Sequence, residues 1–140
     1  MSIQEQEQTK KAYYSEAMRY MDNAKGYLKE AKKDGNVYRD RKYVRTACGV
    51  AYNGLLIALD GFFMLKGMHT SNSRKVRKSY EYYQQNLAKQ DRKMLDNLNG
   101  AYQILHLYGY YDGLDIVSVV KEGFNLANSI IEKIKPSELD

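Results

Sequence analysis

Proline is almost missing from this chain: its one copy, Pro136, stands near the end, so no earlier position breaks a helix by lacking an amide proton. Cysteine is equally scarce. Cys48 stands alone, which excludes an intramolecular disulfide and fits a reducing compartment. The only histidines are His69 and His106, far apart in sequence, whereas zinc sites cluster Cys and His at short spacings. A di-metal carboxylate bundle needs a glutamate three residues before each histidine, and Lys66 and Gln103 stand there instead. No metal site is expected. No glycine-rich phosphate loop is present either, so no cofactor is implied. The opening residues, MSIQEQEQTKKA, hold no apolar core of a secretory signal and read as a polar lead-in to a helix. The expected location is the cytoplasm.

What is present points to helices. A chain of 140 residues fits a single domain spanning 1–140, long enough to bury a core unaided. Residues 1–10 are expected to fray and 136–140 to form a tail. Apolar positions Tyr13, Ala17, Tyr20, Met21, Ala24, Leu28 and Ala31 step by three or four, predicting a first helix over about 4–33. The Asp34-Gly35 pair after two lysines marks its stop. A second helix over 38–66 turns Val44, Cys48, Ala51, Leu55, Ala58, Leu59, Phe62 and Leu65 inward. Segment 67–73 is a turn, with Ser71 or Ser73 as the next N-cap.

Helical spacing resumes from Arg74 through Val76, Tyr80, Tyr83 and Leu87, and again from Asp91 to about Tyr108. A break near Lys89 and Gln90 would divide this third helix. The last helix, over 114–134, presents Ile116, Val120, Gly123, Phe124, Ala127, Ile130, Ile131 and Ile134. No segment alternates with period two. The fold class is all-α: an up-and-down antiparallel bundle of four long helices, or five if the third is broken.

The stretch 47–65 carries one formal charge, at Asp60, and is long enough to cross a bilayer. Asn53 and Asp60 would be costly in lipid, and Gly49, Gly54 and Gly61 interrupt the run, so a central bundle helix is the reading and no membrane is expected. On that helix Thr46, Gly49, Asn53 and Asp60 fall close to one stripe. A polar pocket built from Asn53, Asp60 and His106 is one interpretation, with an arginine from another helix facing Asp60. A stripe that faces water or bridges to a neighbour is the other. Cys48, on an apolar face, reads as a small core residue.

With 22 Lys and Arg against 17 Asp and Glu, the net charge is +5. Two basic clusters carry it. Arg39, Arg41, Lys42 and Arg45 open the second helix beside Lys29, Lys32 and Lys33, and Arg74, Lys75, Arg77 and Lys78 lie at the opposite end. Arg41 and Arg45 share a face at i, i+4, which suits a phosphate clamp. The 14 tyrosines include two tight groups, Tyr80, Tyr82, Tyr83 and Tyr108, Tyr110, Tyr111, whose members cannot all face one core. Their surplus suits stacking on nucleobases or, better, a protein interface such as a homodimer.

The runs YYSEAMRYMDNAKGYLKEA, YVRTACGVAYNGLLIALDGFFMLKG and LHLYGYYDG resemble the HEPN helical-bundle superfamily over residues 13–134. The resemblance implies a four- or five-helix bundle, often dimeric, in a superfamily that includes toxin ribonucleases, partners of nucleotidyltransferases and inactive binding modules. Its ribonucleases place an arginine ahead of a histidine with four to six residues between them. Ahead of His106 those positions are Ala101, Gly100 and Asn99, and ahead of His69 they are Met64, Phe63 and Phe62. The motif is missing. The expected function is therefore a non-catalytic, dimerising binding module. It would engage a protein or RNA through Arg39, Arg41, Lys42 and Arg45, with Tyr38 and Tyr43 beside them. An enzyme or enzyme subunit acting on nucleotides or RNA, using Asn53, Asp60 and His106, is the alternative.

Overall fold

The computed structural model describes residues 1–68 and 78–137. His69, Ser71, Ser73, Arg74, Lys75, Val76 and Arg77 lie outside the described residues. Helix α1 (Ile3–Ala31) is the longest element. It begins earlier than the frayed start expected over 1–10, because Ser2 and Glu5 form a capping box: each side chain accepts the other residue's amide at 3.1 Å. It also stops two residues before Lys33. Lys32 adopts φ 56° and the chain turns into two strands absent from the sequence reading, β1 (Lys33–Asp34) and β2 (Val37–Tyr38). Gly35, at φ 64°, makes the hairpin between them. Two-residue strands are too short for alternation to register.

Asp40 caps helix α2 (Arg41–Leu65) by accepting from the Lys42 amide, so this helix starts three residues later than expected. The break near Lys89 and Gln90 that the sequence left open is present. Helix α3 (Tyr80–Ala88), capped by Ser79, ends before Lys89, and Asp91 caps a new helix, α4 (Arg92–Ala101). α4 runs without interruption into a π-helical segment, Tyr102–Tyr111. Helix α5 (Val117–Ile131) then finishes in one 3₁₀ turn, Glu132–Ile134. The five helices make an all-α bundle in which α1 and α2 form the long antiparallel pair. Their backbones approach closely at Gly54, where a Cβ would come within 3.1 Å of the Ala17 carbonyl oxygen.

The core follows the predicted faces. Ala17, Met21 and Ala24 of α1 meet Cys48, Ala51, Leu55 and Leu59 of α2, while Leu98, Leu105, Ala127, Ile130 and Ile131 close the other side. Each buried Leu, Ile or Met contributes about 1.5–3 kcal/mol relative to exposure. Ile116 departs from its predicted inner face. It precedes α5, pairs with Val37 as a β-bridge, and stays partly exposed. Helix α2 is long and apolar enough to cross a membrane, but more than half of its apolar stretch is buried against the other helices.

Candidate functional site

The π segment positions a row of aromatic rings. Tyr102, His106 and Tyr110 recur every four residues, and in this widened helix their rings stand in file: Tyr102 and His106 stack with centroids 5.2 Å apart, His106 and Tyr110 with 5.9 Å. α3 extends the file, because Tyr80 lies flat on Tyr102 at 3.7 Å and 5°. Tyr52 of α2 closes against the file from the other side, 4.9 Å from His106 and 5.9 Å from Tyr102. Tyr111 meets His106 edge-on at 5.0 Å. π-helical turns are rare and concentrate at functional sites.

These six rings line one open cleft of about 800 Å³ between α2, α3 and the π segment. Thr46, Gly49, Val50, Asn53, Leu56, Lys78, Ser79 and Glu81 complete its wall. Gly49 allows Tyr110 to lie against α2, since a Cβ there would sit 2.9 Å from the ring. Asn53 is exposed at the cleft and its amide makes no hydrogen bond among the described residues. Tyr52 is 6% exposed, yet its hydroxyl has no hydrogen-bond partner among the described residues, and burial pushes its pKa up. Tyr80 is held in place by donating its hydroxyl proton to Asn99, and Gln84 donates to both.

The structure brings Asn53 and His106 to this cleft and leaves Asp60 off its wall. Asp60 accepts from the Tyr83 hydroxyl at 3.0 Å and pairs with Lys78, rather than with an arginine, at 3.4 Å. Burial raises its pKa, and Lys78 and Tyr83 oppose the rise. Lys78 thus links the Asp60 network to the cleft rim. The polar stripe bridges helices and faces an open cleft; the buried residues described include no polar or charged side chain.

His106 is shifted down by burial toward its neutral form, packs against four tyrosine rings, and makes no hydrogen bond among the described residues. No carboxylate among the described residues fixes its tautomer, as a general base requires. Cys48 is fully buried beneath Gly109, with burial pushing its thiol up to about 12, so it is a packing residue and not a nucleophile. No group of three or more His, Cys, Asp or Glu among the described residues could hold a metal ion.

The Arg39–Arg45 cluster is largely occupied within the chain. Arg45 donates to the carbonyl oxygens of Tyr111 at 2.5 Å and Tyr110 at 3.5 Å, satisfying acceptors that the end of the π segment leaves open. Arg41 pairs with Asp115 at 3.4 Å and Lys42 lies 5.0 Å over the Tyr43 ring, while the Arg39 side chain is exposed. Arg41 and Arg45 therefore hold the π segment and the loop after it rather than standing free as a clamp. Neither Tyr52 nor Tyr102 was read from sequence as a site residue, although the spacing of Tyr102, His106 and Tyr110 carries a signal. Ending the predicted helix near Tyr108 hid the continuation of the file to Tyr110 and Tyr111.

No curated protein matches the chain. Among solved structures it is similar to a protein of unknown function from Dyadobacter fermentans, at 38% identity and a TM-score of 0.78, covering 96% of this chain and 97% of that one. A family model described as a domain of unknown function, DUF5618, matches residues 12–136. That match takes in every helix described except the first turns of α1, and the chain belongs to the DUF5618 family.

Proposed function

We propose that the protein is a non-catalytic cytoplasmic binding module, HEPN-like in its helical architecture, whose ligand places a flat ring in the aromatic cleft. The carrying observation is the cleft itself: six rings and an unengaged Asn53 amide around about 800 Å³ of open space. A base of single-stranded RNA fits this chemistry. Its π-face stacks on tyrosine, its edge matches the donor and acceptor of an asparagine amide, and the net charge of +5 favours a polyanion. The enzyme reading has less support, because His106 lacks an orienting partner and Asp60 does not line the cleft.

A homodimer accompanies this reading. Tyr108, Ile116 and Val37 are exposed near one another: Val37 bridges to Ile116, and Tyr108 and Ile116 line the same shallow groove. A second copy would cover that patch.

Fluorescence anisotropy of labelled single-stranded RNA, across a salt titration, tests the ligand. Binding that weakens with salt and drops about tenfold in Tyr102→Ala, the loss of one base stack, is the expected result. No binding at low salt, or equal binding by the variant, would remove RNA from the cleft.

A further inference from the structure

A second surface, sharing no residue with the aromatic cleft, lies where α1 ends. Lys25, Lys29, Lys32 and Lys33 ring a groove of about 520 Å³ whose floor is Leu28 and Tyr38. No carboxylate lines it, and none of the four ammonium groups has an ion-pair partner among the described residues. Lysines near a helix C-terminus suit the macrodipole, and that alone would explain Lys29. It does not explain Lys32. With φ 56° and ψ 146°, Lys32 occupies backbone space that is close to glycine-only. The position asks for glycine and carries a cationic side chain on the groove instead.

We propose that this groove docks an acidic segment of a partner protein, with an apolar side chain seated on Leu28 and Tyr38 and carboxylates paired to the surrounding lysines. The floor decides the class of partner. Tyr38 is 5% exposed, too little for a nucleobase to stack on its ring, and half-buried Leu28 beside it supplies the accessible part of the apolar floor. An apolar floor inside a cationic ring complements an acidic peptide carrying a leucine.

The test uses a fluorescein-labelled glutamate peptide with one central leucine, read by anisotropy, and an all-glutamate peptide beside it. The wild-type protein should bind the leucine peptide, more weakly as salt rises, and at least fivefold more tightly than the all-glutamate one. Lys29→Glu should weaken binding at least tenfold, while Lys10→Glu, far along α1, leaves it unchanged. Lys32→Gly should unfold at a higher temperature yet bind several-fold more weakly. That separates side-chain use from folding. No binding at low salt, equal affinity for both peptides, or undiminished binding by Lys29→Glu and Lys32→Gly would overturn the proposal. Displacement of the leucine peptide by single-stranded RNA at equal concentration would do the same.

Discussion

Two glycines face each other's helices where α2 meets the π segment, and alanine at each should have opposite effects on stability. At Gly109 an added methyl runs into Cys48, meeting its Sγ and, at 2.6 Å, its Cβ, with the Ile104 carbonyl oxygen 3.2 Å away. Cys48 is fully buried and cannot swing aside, so Gly109→Ala should destabilise at the upper end of the ~1–3 kcal/mol typical of overpacking. At Gly49 the added methyl meets the Tyr110 ring at 2.9 Å, but Tyr110 is 46% exposed and can rotate toward solvent. Alanine also favours the α2 backbone over glycine by about 1 kcal/mol. Gly49→Ala should therefore leave stability unchanged or raise it by up to ~1 kcal/mol, while pushing Tyr110 out of the ring file and weakening ligand binding. Urea unfolding followed by circular dichroism measures both. A neutral Gly109→Ala would refute the close approach of α2 to the π segment, and an equal loss in Gly49→Ala would refute the freedom of Tyr110 to turn aside.

Other outcomes follow from the same structure. Asp60 has a raised folded-state pKa, so the carboxylic acid form stabilises the fold below pH ~4, and that contribution fades as pH rises through the raised value. Asp60→Asn should flatten this part of the stability–pH curve and leave RNA binding intact; an unchanged curve would contradict the burial argument. Asp91→Ala removes the cap that starts α4 and should cost about 0.5–2 kcal/mol in urea unfolding. Tyr108→Lys should shift a dimer to monomer in sedimentation velocity, and a wild-type protein that sediments as a monomer would remove the dimer from the account. Arg45→Ala should free the end of the π segment, seen as faster amide exchange over 110–114, with little change in α1.

Long-range periodicity made the bundle legible before any coordinates. The faces of α1, α2 and α5 are the ones their three- and four-residue spacings indicate, because burial is what selects that spacing. The break before α4 could be placed but not decided, since Asp91 is both an ordinary polar residue and a cap. Less was legible in the site. Asn53 and His106 came out together on the cleft, but Asp60 paired instead with Tyr83 and Lys78, whose distance along the chain hides the contact. The four-residue spacing of Tyr102, His106 and Tyr110 marks a shared helix face, but nothing in it marks the π widening, which propensities do not encode. Arg41 and Arg45 looked like a free clamp for the same reason: their partners, Asp115 and the Tyr110 and Tyr111 carbonyls, are remote in sequence.

The most direct test of the ring-binding cleft is an NMR titration of the protein with isotope-labelled tyrosine rings against a short single-stranded RNA. The account predicts shifts concentrated on Tyr52, Tyr80, Tyr102 and Tyr110, with Tyr13, Tyr14 and Tyr20 of α1 unmoved. Shifts confined to α1, or none at RNA excess, would contradict it.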